Sequence, residues 1–306
     1  MPISRAAAWD VERQRLDNGL ALLLCPSTAT DQIALVVLYA VGEDHDPPER
    51  CGLAHLTEHL YVTAAAGDVS ARTVDEFMRR YPNAWNAQTG TDYTVFATVF
   101  PKERLEDELC DAAARMGDLR PTEADLGREK LRLLQELRNM YGGSPPLASI
   151  NHARAYIRPS AIGHRKGGLS EHVQRMSIDD VTQWWSKHYK PASATVVLAG
   201  AFTPEAAREL VAKHFAPIPS GEKPPPVRKP GPAKRGQIKT VAIEATSPNA
   251  QPHACIAFPA PQPGDKHYAA CLLLVSRMWM RAASPGGQPQ VMFNVLDDPT
   301  LIAVSA

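Results

Sequence analysis

Apolar residues along this chain fall either into short continuous runs or into stretches with helical spacing. Short runs rich in Leu, Val and Ile at 19–25 and 32–41 predict β-strands, and the intervening PSTATDQ suits a hairpin turn. DYTVFATV (92–99) predicts another strand from its β-branched and aromatic residues. Helical spacing governs 51–65 and 72–80, then a helix opened by Pro101 and running to about 116. That helix carries Leu105, Leu109, Ala112 and Ala113 on one side. A long helix is predicted over 122–141, with Leu131, Leu133, Leu134 and Leu137 as its apolar stripe. Gly142-Gly143 and Pro145-Pro146 stop it, and a further helix spans 147–157, before Pro159. Ser177-Ile-Asp-Asp180 resembles a capping box ahead of VTQWWSKHY (181–189), in which Trp184 and Trp185 suit core packing. SATVVLA (193–199) is a buried strand, and Thr203-Pro204 caps EAARELVAKHF. Helices and strands in separate runs indicate an α+β fold, a mostly antiparallel sheet packed with helices.

A change of texture follows. Residues 217–236 read PIPSGEKPPPVRKPGPAKRG, a proline-rich basic strap between domains. Beyond it, 238–245 and 254–261 predict strands and 267–280 a helix, with a final strand at 301–306 that is expected to leave an unpaired sheet edge. The expected organisation is a domain over 1–217, a linker over 218–236 and the beginning of a second domain over 237–306, the chain being read as a fragment.

Composition narrows the function classes. A chain of 306 residues, 44% hydrophobic, is long enough for one full core and part of another. Its formal net charge is zero, with no basic face, which argues against nucleic acid as a partner. No apolar run approaches the roughly 20 residues of a membrane span. MPISRAAAWDVERQRLDNG lacks the apolar core of a secretory leader, so a cytoplasmic location is expected, or a periplasmic or secreted one if the true start lies upstream. The five cysteines form no metal or redox spacing and read as free, mostly buried thiols, with Cys51 four residues before His55. His152, His164, His172 and His188 are scattered without ligand spacing.

The chemistry concentrates in His55-Leu56-Thr57-Glu58-His59. Side chains at i and i+4 lie one above the other on a helix, so His55 and His59 can share a metal ion. Glu58 lies on the neighbouring edge of that face, within reach of a water at the metal, and H-x-x-E-H is the inverted form of a zinc-peptidase motif. Leu53, Leu56 and Leu60 fit a half-buried amphipathic helix equally well, so a third ligand has to decide. Downstream, Glu129 and Glu136 are two helical turns apart. Glu136 completes a His₂Glu set, and Glu129 is placed to orient a histidine or the substrate. Alone, this pair also fits a solvated helix with Arg128, Arg132 and Arg138 as charge partners.

The pentad with the Glu-x₆-Glu pair resembles the pitrilysin/insulinase family of inverted zincins, which includes the mitochondrial processing peptidase. The resemblance extends over about 15–217: LDNGLALLL as the family's opening strand, the stretch 33–60 as its second strand and zinc helix, 86–109 as its Asn-Ala-x-Thr edge strand and following helix, and 162–215 as the close of the domain. YVTAAAGDVSARTVDEF (61–77) departs from the family's continuation after the zinc helix. The resemblance implies a processing-peptidase-like fold, one Zn²⁺ per catalytic domain and hydrolysis of peptides or unfolded segments. It implies that Asn86, Ala87 and Thr89 take the substrate as an added strand, and that a second homologous domain or chain closes over it. The competing expectation is a non-catalytic partner subunit of a two-chain peptidase, and a non-peptidase zinc hydrolase ranks below both.

Overall fold

The computed structural model describes residues 11–82, 84–140, 167–226, 255–259, 261, 265–282, 290–293 and 301–305. The helix expected at 147–157 and the strand at 238–245 lie outside them. In chain order the elements are β1 Glu12–Arg15, β2 Ala21–Pro26, β3 Gln32–Tyr39, α1 Leu53–Thr63, β4 Ala65–Ala66, α2 Val74–Arg80, β5 Trp85–Thr89, β6 Thr94–Pro101, α3 Leu105–Gly117, β7 Leu119–Arg120, α4 Glu123–Arg138, α5 Ser170–Arg175, α6 Ile178–His188, β8 Ala194–Gly200, α7 Pro204–Phe215, β9 Cys255–Pro259, α8 Tyr268–Ala282, β10 Gln290–Phe293 and β11 Leu301–Ser305. The chain forms two compact units. One comprises Met1–His45, Leu53–Glu129 and Met176–Pro226, and the other Asp46–Gly52, Lys130–Arg175 and Val227–Ala306. The fold is α+β.

In the first unit, six strands form one sheet in the order β1-β2-β8-β3-β6-β5. Every pairing is antiparallel except β2 with β8. Strands β2 and β3 are therefore not the hairpin that their proximity in sequence suggested. Strand β8 lies between them, with Val197 opposite Leu23 on one side and Val36 on the other. Residues 27–31 can extend about 17 Å, enough to pass over one intervening strand in a sheet with about 5 Å between neighbours. The apolar β8 buries alternate residues, Ala194, Val196 and Leu198, which suits a central position. It ends at Gly200, φ 128°, where a Cβ would collide with the Gln32 carbonyl.

Alternation sets the core. Ile33, Leu35, Val37 and Tyr39 of β3 are buried, as are Leu22 and Leu24 of β2. The helices contribute their apolar sides: α1 packs on α6, α3 on α7, and α7 on β2. Leu105, Leu109, Ala112 and Ala113 of α3 are buried as the spacing predicted, behind a short 3₁₀ turn at Lys102–Arg104. Both anticipated caps form. The Ser177 hydroxyl accepts from the Asp180 N–H at 3.2 Å while Asp180 Oδ2 accepts from the Ser177 N–H at 2.8 Å, and Thr203 caps α7. Trp184 and Trp185 are buried, and Trp185 Nε1 donates to the Arg115 carbonyl at 2.9 Å.

Two arrangements hold α1 in place. The first is aromatic: Tyr61 of α1 stacks on Phe96 of β6 with ring centroids 3.9 Å apart, and Tyr39 of β3 stacks on Tyr189 at 4.3 Å. The second binds the last carbonyls of α1, which lack helical partners. Arg115 donates to the carbonyls of Tyr61 and Ala64, and Arg72 Nε donates to Val62 at 2.9 Å. Asp111 joins the two cations, 2.8 Å from Arg115 Nε and 3.0 Å from Arg72 Nη1.

The second unit contains a three-stranded antiparallel sheet in the order β10-β11-β9, together with α8. The expectation of an unpaired edge at 301–306 is overturned, since β11 pairs on both sides and is the central strand. Ile256 and Phe258 of β9 and Leu273 and Leu274 of α8 are exposed.

Two finer expectations also change. Leu133 and Leu137 of α4 are buried, but Leu131 is 70% exposed, because the buried line runs through Leu126, Glu129, Leu133 and Leu137, and Leu131 lies two residues, about 200°, from its nearest members. Among the cysteines whose burial the structure describes, most are not buried: Cys51 is, Cys25 and Cys271 are intermediate and Cys110 is exposed.

Candidate metal centre

Helix α1 begins at a glycine. Gly52 has φ 101°, and its N–H donates to Asp46 Oδ2 at 2.7 Å, which turns the chain into the first helical residue. Nearly all of α1 is buried, so its hydroxyls bond within the helix: Thr57 to the Leu53 carbonyl at 2.7 Å and Thr63 to that of His59 at 3.0 Å. One turn of this helix brings the His55 and His59 rings to 4.9 Å between centroids, with planes 88° apart. His59 and Glu58 are buried, and His55 is half-buried.

The neighbours of the pentad come from two other elements, β5 and α4. Thr89, the last residue of β5, donates its hydroxyl to Glu58 Oε2 at 2.6 Å, both side chains being buried. Glu129 of α4 is 2% exposed and places Oε2 3.4 Å from His59 Nδ1. A carboxylate beside one ring nitrogen favours a single ring orientation. Glu136, further along α4, has a side chain 37% exposed and lies 3.5 Å from Arg132 Nε, so the charge pairing that the sequence also allowed is present too. The ligand atoms of His55, His59 and Glu136 all lie within 4.8 Å of one another. Two imidazoles and one carboxylate are the donor set of a catalytic zinc site, which keeps its fourth position open.

Strand β5 is last in the sheet order and pairs with β6, Asn86 opposite Ala97 and Ala87 opposite Phe96. Asn86 is exposed and Ala87 half-buried, whereas Thr89 points inward to Glu58. No local pattern links Thr89 to Glu58 in the sequence, since 31 residues separate them and only the packing of α1 against β5 brings them together. The Arg72–Asp111–Arg115 clamp was likewise not anticipated; arginines on helix and loop gave no signal of burial. Among the described residues, no helix is long and apolar enough to cross a membrane.

Two family models match the chain. Insulinase (peptidase family M16) matches residues 22–137, which include His55, Glu58, His59, Thr89, Glu129 and Glu136. Peptidase M16 inactive domain matches residues 175–279, which include none of them. Zinc protease PqqE of Helicobacter pylori is 26% identical over 209 residues, covering 67% of this chain and 46% of its own length. The zinc protease YmxG of Bacillus subtilis is 22% identical over 267 residues, covering 86% of this chain and 63% of its own. The chain thus spans about half to somewhat under two thirds of these relatives. Among solved structures, a protease from Helicobacter pylori superposes with a TM-score of 0.82 at 20% identity, over 98% of this chain and 75% of that one.

Proposed function

Because the chain belongs to the insulinase family of peptidases, family M16, we propose that it is the metal-binding part of a zinc-dependent endopeptidase acting on peptides or unfolded protein segments. The observation that carries this reading is the convergence of His55, His59 and Glu136 within 4.8 Å, with Glu58 between the two histidines in sequence. Those three residues would hold the ion. Bound zinc supplies a Lewis acid that acidifies a water and polarises the scissile carbonyl. Glu58 accepts the proton of the attacking water and delivers it to the leaving amine. Glu129 keeps the His59 ring aligned. Strand β5, at the edge of its sheet, offers main-chain hydrogen bonds to a peptide in extended form, which accepts varied sequences. Asn86 and Ala87 lie along that edge strand, and Thr89 takes part through its main chain. In this reading 1–217 is the catalytic domain, 218–236 a strap, and 237–306 part of a second domain of the same kind, two such domains enclosing the peptide.

The test joins metal content to turnover. The protein is expected to carry about one zinc, lost in the His55→Ala, His59→Ala double variant, whereas Glu58→Gln keeps zinc and cleaves a mixed peptide library at least about 100-fold more slowly. Full zinc occupancy in the double histidine variant would sink the ligand assignment. A second reading, a non-catalytic partner subunit, has the inactive-domain match over 175–279 in its favour. It predicts no cleavage by the zinc-loaded protein, alone or with a complementary domain.

A further inference from the structure

The hydroxyl of Thr89 joins two parts of the molecule that serve different purposes. Residue 89 ends β5, the edge strand proposed to receive the peptide, and its side chain leaves that strand inward to reach Glu58 Oε2 at 2.6 Å. Thr89 is 6% exposed and Glu58 7%. A buried carboxylate that has several rotatable bonds does not hold one orientation by itself, and a hydrogen bond to a charged group in a dry site is a strong constraint. Threonine meets this need, because its β-branched side chain has restricted χ1 and the oxygen is held where the backbone puts it. The backbone is itself fixed, because Thr89 pairs with Thr94 of β6, whose hydroxyl donates to the Val41 carbonyl at 2.8 Å.

We propose that Thr89 is the positioning residue for Glu58: its hydroxyl pins Oε2, so that Oε1 is the oxygen presented to the attacking water. This inference rests on the reading of Glu58 as the proton acceptor. It ties the geometry of proton transfer to the strand along which the peptide lies, so a peptide seated on β5 is registered against the base by the same side chain. No proton moves to or from Thr89.

The test uses the zinc-loaded full chain with Thr89→Val, which keeps the branched shape and removes the hydroxyl, and Thr89→Ser, which restores the hydroxyl. Three quantities are read: zinc stoichiometry, kcat and KM on a quenched fluorescent peptide, and the calorimetric Kd of a peptide hydroxamate, whose acidic proton needs the same carboxylate. Thr89→Val is expected to keep its zinc, to lose about tenfold or more in kcat with KM within about twofold, and to bind the hydroxamate about tenfold more weakly. Thr89→Ser is expected to recover most of both losses. The hydroxamate arm decides where cleavage is too slow to measure. Hydroxamate affinity in Thr89→Val within about twofold of the parent, or a Thr89→Ser as impaired as Thr89→Val, overturns the proposal. Glu58→Gln run in parallel separates the two ideas: a Glu58→Gln that still cleaves at the parent rate removes the base assignment itself, whereas an inactive Glu58→Gln beside an unaffected Thr89→Val removes only the role of Thr89.

Discussion

The buried Glu129 places Oε2 3.4 Å from His59 Nδ1, where a carboxylate favours one ring orientation. Partners of this kind typically change metal affinity by about 10- to 100-fold when removed. Glu129→Gln is accordingly expected to raise the zinc Kd by about that factor with little change in melting temperature, as read by competition with a chromophoric chelator. A second residue-scale consequence concerns His188, which burial, then Lys187 and His45, hold in the neutral form with a pKa lowered to about 4. Its ring lies 4.2 Å from that of Trp184. The unfolded chain takes up this proton near pH 6.5 and the folded one only near pH 4, so the unfolded state binds more protons in that window. Stability from this group is complete above about pH 6.5 and is lost as the pH falls toward about 4. His188→Phe is expected to flatten the decline of melting temperature between about pH 6.5 and 4; an unchanged slope would show that other groups govern acid unfolding.

Among the elements, α1 has the most at stake, because it carries His55, Glu58 and His59. Its C-terminal carbonyls are bound by Arg115 and Arg72, with Asp111 between the two cations. Cations at a helix C-terminus are favourable, but a guanidinium as buried as that of Arg115, at 2% exposure, persists only because Asp111 and the carbonyls compensate its lost hydration. Removing one partner of such a buried pair leaves the rest uncompensated. Arg115→Met should therefore destabilise the fold by about 3 kcal/mol, measured by urea denaturation. A change below about 1 kcal/mol would mean that Arg72 and water suffice.

For the whole molecule, the relevant fact is that this chain covers only 46% and 63% of the length of the two relatives compared above. The proposed enzyme encloses its peptide between two homologous domains, and β9 and α8 expose Ile256, Phe258, Leu273 and Leu274. Preorganised contacts to the reacting carbonyl typically contribute about 10² to 10³ in rate each. Adding a complete second domain, in the same polypeptide or as a separate chain, is expected to raise kcat/KM by at least about 100-fold and to sharpen sedimentation toward one species. Equal activity with and without it would show that the 306 residues suffice.

Sequence alone determined whatever depends on near neighbours. The i, i+4 spacing of His55 and His59 put both rings on one helical face, the Ser177 and Thr203 caps marked helix starts, and short apolar runs at 32–41 and 193–199 marked strands, because helix period, cap chemistry and run length are local. Tertiary structure decided what depends on distant partners. It inserted β8 between β2 and β3 and made β11 a central strand, since strand order is chosen by which apolar faces can be buried together, not by order along the chain. It also turned Leu131 outward and Glu129 inward on the same helix, whose buried line follows the surface it meets. Thr89 was legible as a strand residue, but its hydroxyl bond to Glu58 was not, because that pair exists only once an edge strand and a buried helix have been brought side by side.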